Sequence, residues 1–94
     1  MEKEFALYIA DLEYGLKNTK RAEDRNLYEK YLAQAACIMA KIVLGAPKTE
    51  LFEEIDTNER LWGNTWLQDA VYEKSANSYK KFKEVAGYPG HGNT

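Results

Sequence analysis

Histidine and cysteine occur once each in the 94 residues, proline twice and glycine six times. Each scarcity excludes something. With His91 alone, and placed in a glycine-rich ending, no zinc set, catalytic triad or histidine-based acid–base pair can be assembled within one chain. Cys37 alone excludes an internal disulfide and fits a reducing compartment. Basic surplus is missing too: 13 Lys and Arg stand against 15 Asp and Glu, net −2, so the whole chain offers no electrostatic case for nucleic acid. No apolar run is long enough to span a membrane, because Lys41 and then Gly45-Ala46-Pro47 interrupt the longest. Glu2 and Glu4 stand where a secretory leader carries positive charge, and Asp11 and Glu13 break up the apolar residues that follow. The expected location is cytoplasmic.

What is present favours helix. Apolar residues make up 45% and charged residues 30%, the balance of a folded rather than a disordered chain. Both prolines lie at expected boundaries, at 47 and 89, which leaves the segments between them free of breakers. Alanine, leucine, lysine and glutamate are plentiful and all favour helix. The expectation is an all-α fold, a small bundle of four to five helices around a central apolar helix spanning about 22–44. Residues 1–87 form a single domain and 88–94 a mobile tail.

The central helix is expected from Tyr31–Leu44, YLAQAACIMAKIVL, where only Gln34 and Lys41 are plainly polar. They are seven residues apart, so at about 100° per residue they share one narrow stripe, and every other direction is apolar. A helix of that kind is covered by neighbours on several sides, or becomes covered on self-association. Its start lies near 22, or near 26 where Asn26-Leu-Tyr-Glu29 has the capping-box form. Gly45 at the left-handed position and Pro47 beyond it end the helix.

Upstream, Phe5, Tyr8, Ile9, Leu12 and Leu16 predict an amphipathic helix over 3–17, with a break near 18–21. Downstream, Thr49 is the expected N-cap of a third helix. Asp56-Thr-Asn-Glu59 and Thr65-Trp-Leu-Gln68 each offer a further start, so 56–65 is expected to be irregular or interrupted. Helix resumes from Thr65 to about 86, with Ser75-Ala-Asn-Ser78 as a point of kinking or division, and Gly87 caps it.

Candidate functional residues fall into three groups. Arg60, Trp62, Asn64 and Trp66, with Glu53 and Asp56 of the acidic run, combine two tryptophans at i and i+4 with charge, the residue types enriched in protein interfaces. Seven tyrosines exceed what a small core readily buries, which adds rings suited to partner contact. Lys17, Lys20, Arg21 and Arg25 beside Tyr28 could grip a phosphate and stack a base. Carboxylates at Glu50, Glu53 and Glu54, and at Asp69 and Glu73, could in principle hold Mg²⁺, but solvated acidic helix faces explain them more simply. Cys37 is expected as a small apolar filler bordering the surface.

No cofactor motif, metal set or catalytic constellation emerges, and the residues carry no family signature. The expected function is non-enzymatic: a small regulator of the inhibitor, immunity-like or adaptor kind, acting by stoichiometric protein contact. The alternative is a homo-oligomer joined through its second helix that binds a small anionic ligand, such as a nucleotide, between subunits. Neither a nucleic-acid nor a membrane partner is expected.

Overall fold

The computed structural model describes residues 1–63 and 72–89, with the side chains of 61–63, 72 and 73 excepted. Four helices account for nearly all of it: α1 (Glu2–Asn18), α2 (Ala22–Val43), α3 (Lys48–Gly63) and α4 (Tyr72–Ala86). The fold is all-α, as the composition implies. None of the helices described is long and apolar enough to cross a membrane.

Helix α1 buries Phe5, Tyr8 and Leu12, spaced three and four apart along one face. It stops at Thr19, whose backbone is extended (φ −70°, ψ 144°) while its N–H still donates to the Gly15 carbonyl at 2.8 Å. The Thr19 hydroxyl then accepts from the Arg21 N–H, holding the chain in a short turn before α2. A connection this short forces α1 and α2 into an antiparallel hairpin. Helix α2 begins at Ala22, so the capping-box start at Asn26 is not used. Tertiary packing of Asp24 and Tyr28, both fully buried, extends the helix back past it.

Helix α2 ends as expected. Gly45 has φ 69°, its N–H donates to the Ile42 carbonyl at 3.1 Å, and the Ala46 N–H reaches Lys41 at 3.0 Å. This pair of bonds is a Schellman motif. Gly87 repeats it at the end of α4, with φ 75° and bonds to Glu84 and Lys83.

Three local expectations are corrected. The Pro47 carbonyl accepts from the Leu51 N–H at 3.1 Å, so Pro47 rather than Thr49 caps α3. The helix then runs without a break through 56–63, because Ile55 and Asn58 are buried against the rest of the bundle and hold the segment in register. The interruption expected there is absent as far as Gly63; 64–65, and the start at Thr65, lie outside the described residues. Likewise Ser75–Ser78 neither kinks nor divides α4. The Ser78 hydroxyl donates to the Lys74 carbonyl at 2.9 Å and to the Asp11 carboxylate, and both serines are buried against the bundle.

The side-chain pairs define the topology. Phe5 meets Phe82 edge to face at 4.5 Å between centroids, and Tyr8 meets Tyr79 at 4.9 Å, so α4 runs antiparallel to α1. Gln34 donates to Glu54 at 3.0 Å and Lys41 faces Glu50 at 3.7 Å, so α3 runs antiparallel to α2. Lys83 bonds Glu59 at 2.8 Å while Tyr88 donates to Asp56 and packs edge-on against Phe52 at 5.5 Å, joining α3 to α4. The result is an up-down-up-down bundle in which α1 packs between α2 and α4 and α3 packs on α2, with side chains alone, among the described residues, linking α3 to α4. Each aromatic pair adds roughly 0.5–1.5 kcal/mol beyond its buried area.

Tyr88 is buried, so the tail expected from residue 88 begins no earlier than Pro89. Its ring covers Phe52 and its hydroxyl finds Asp56, contacts that no local pattern announces.

Candidate functional site: the open face of α2

Helix α2 directs Tyr28, Tyr31, Ala35 and Ile38 into the core, with Leu27, Leu32, Met39 and Ile42 partly buried beside them. Its polar stripe lies along α3, with Gln34 and Lys41 half-buried and Glu50 still exposed. Gln34 and Lys41 point at α3, where the Glu54 and Glu50 carboxylates receive them. The side of α2 left uncovered is therefore apolar: Ala33, Ala36, Cys37, Ala40, Val43 and Leu44 are all exposed. Leu44 keeps 81% of its surface and Val43 62%.

The spacing Ala33, Cys37, Ala40, Leu44 alternates four and three, the seam of a coiled coil, and the strip runs about 16 Å at 1.5 Å per residue. Alanine at three of its turns lets another backbone approach closely, and the two larger aliphatic side chains stand at its C-terminal end. Charged Glu29 and Lys30 border the strip at one end and Lys48 at the other, all exposed. The exposed apolar residues are thus contiguous along one face with charge at both ends, rather than singly scattered.

The residues singled out by sequence distribute differently. Glu53 and Arg60 are exposed on α3, and Asp56 is half-buried with Tyr88 donating to it, so its carboxylate serves the fold. Trp62 falls in the last turn of α3 with its side chain outside the described residues, as Asn64 and Trp66 are entirely. Lys17, Lys20, Arg21 and Arg25 are exposed around the α1–α2 turn, and Arg21 pairs with Glu23 at 2.8 Å and Asp24 at 3.7 Å. Tyr28 is fully buried with its ring over Gly15, and no face of it is open to a base. The stacking half of the nucleotide site is thereby lost.

The tyrosine surplus is also resolved inward. Tyr8, Tyr28, Tyr31, Tyr79 and Tyr88 are buried, Tyr14 is half exposed beneath the Lys74 ammonium, and the Tyr72 side chain lies outside the described residues. Burial raises the Tyr79 hydroxyl pKa well above the ordinary phenol value, and burial followed by the bond to Asp56 raises that of Tyr88. Cys37, expected as filler, is exposed in the middle of the strip. Of the carboxylates, Glu54 and Glu50 are turned toward α2, Asp69 and the Glu73 side chain lie outside the described residues, and among those described no three metal-ligating groups converge.

The strip itself was not legible as a site. A helical wheel shows α2 apolar all round, and the obvious guess puts Gln34 and Lys41 in water. The available signal was the complementary spacing of Glu50 and Glu54, which match Lys41 and Gln34 only when α3 runs antiparallel to α2.

No family model matches the chain, no curated protein resembles it, and no solved structure matches it.

Proposed function

We propose that the chain is a small binding protein that acts by stoichiometric contact with another protein through the open face of α2. One observation carries this reading: the exposed residues between Ala33 and Leu44 are all apolar, while Gln34 and Lys41 of the same stretch are turned to α3. A solvated helix face has no use for that arrangement. Burying Val43 and Leu44 alone would contribute roughly 1.5–3 kcal/mol each when fully desolvated. The alanines between them add close packing at little cost in side-chain entropy. An inhibitor, immunity-like or adaptor role uses a surface of this type.

Cys37 provides the test, because it is the one thiol of the chain and sits inside the strip. In its host extract the wild-type thiol should be shielded from a maleimide reagent, and native mass spectrometry should show the chain carrying the mass of a second polypeptide. Ala36→Glu and Ala40→Glu, both at exposed helical positions, should leave the far-ultraviolet helix signal unchanged while freeing Cys37 and releasing the partner mass. A bare wild-type monomer, with Cys37 as reactive in extract as in buffer, would remove the proposal.

A further inference from the structure

The α1–α4 seam is not closed throughout. A groove of about 340 Å³ lies between the two helices, lined by Lys3, Glu4, Leu7, Ser78 and Lys81. It exists because a small residue, Ser78, stands on α4 where a larger one would fill the space beside Leu7. The antiparallel pairing of Phe5 with Phe82 and Tyr8 with Tyr79 sets Lys3 within about a turn of Lys81, at one end of the groove. Leu7 is 55% exposed and supplies an apolar wall. Glu4 is neutralised locally: its carboxylate lies 2.9 Å from the terminal ammonium, which holds its pKa below the usual value. Among the described residues no carboxylate lies within ion-pair distance of Lys3 or Lys81.

The groove thus pairs an apolar wall with the positive charges of Lys81 and of Lys3, the latter also acting on the Glu4 carboxylate, on a chain whose net charge is −2. The Ser78 hydroxyl is already donated to Asp11 and to the Lys74 carbonyl, so no further polar donor from it reaches a ligand. We infer that this groove binds a small amphipathic carboxylate, with its carboxylate between Lys3 and Lys81 and its hydrocarbon body against Leu7. The volume falls within the range of small-molecule pockets, which suits a carboxylate with a short hydrocarbon body such as octanoate. Two lysines act as point charges and lack the fork that selects a phosphate by geometry, which favours a single-headed ligand with an apolar body.

The test is a titration of the full ¹⁵N-labelled chain with octanoate, with 1-octanol as the uncharged counterpart. Amide shifts should saturate at residues 3–7 and 78–81, and 1-octanol should bind at least about tenfold more weakly. Lys3→Glu and Lys81→Glu, at exposed positions, should each weaken octanoate binding about fivefold or more with the helix signal unchanged. Leu7→Glu should abolish it. Equal binding of the alcohol, unaltered binding by either charge reversal, shifts gathered instead on residues 33–44, or no saturable shift would each overturn the assignment. Binding here is independent of the α2 face, so either site can fail without the other.

Discussion

Gly15 and Tyr28 show how one residue can set the spacing of two helices. A Cβ added at Gly15 would overlap the Tyr28 ring, and that ring is fully buried with nowhere to retreat. Alanine would gain up to about 1 kcal/mol in helix propensity at this position. Overpacking of a filled core costs roughly 1–3 kcal/mol, which outweighs the gain. Gly15→Ala is therefore expected to lower stability by about 1–2 kcal/mol in urea unfolding. In a Tyr28→Leu background the same change should become neutral or stabilising. Equal effects in both backgrounds would show that the two residues do not couple. The buried tyrosines teach a related point, because each ring brings a polar tip into the core and fixes its neighbours more narrowly than an aliphatic side chain does.

At the scale of the element, the ends of the helices are local and their faces are not. Gly45 stands in a left-handed conformation, and a methyl group placed on its Cα would meet nothing within 4 Å, unlike one at Gly15. Gly45→Ala should therefore cost about 1 kcal/mol from backbone conformation alone, with an unchanged denaturant slope. A cost near zero would mean that the Schellman turn does not persist in solution. The faces of α2 depend on what packs beside it. Because α3 arrives antiparallel with Glu50 and Glu54 in position, the polar stripe is turned toward α3 and the apolar strip is left uncovered.

At the scale of the whole molecule, the Tyr79 hydroxyl meets Asn58 and the Tyr88 hydroxyl meets Asp56, linking α4 to α3, with Lys83 lying 4.9 Å from one ring centre and 5.9 Å from the other. Both phenols have pKa values raised by burial, so their neutral form is favoured in the folded state. The sign follows from linkage. The stability they contribute is fully present below the unfolded phenol value of about 10 and declines as pH rises toward the higher folded values. Far-ultraviolet helix signal and phenolate absorbance should accordingly change together in alkaline titration above about pH 10. Complete ionisation of all seven tyrosines with the helix signal intact would contradict the buried placement. The exposed ion pairs on the surface matter less, each being worth no more than about 1 kcal/mol.

Helix type and the stops at Gly45 and Gly87 were legible from the chain itself, since they rest on propensity, period and the conformational freedom of glycine. The polar residues of α2 were legible too, but not the direction they face. That was decided by which helix packs where, through pairs such as Gln34 with Glu54 and Tyr88 with Asp56, 20 and 32 residues apart. For the same reason α3 continues past its apparent restart at Asp56: buried Ile55 and Asn58 outweigh a local capping preference worth only about 1 kcal/mol. Local rules act over a turn or two of helix, whereas burial is settled by contacts between distant segments. The sequence alone determined an all-α chain and where most of its helices end; only the tertiary structure decided which apolar face remained open.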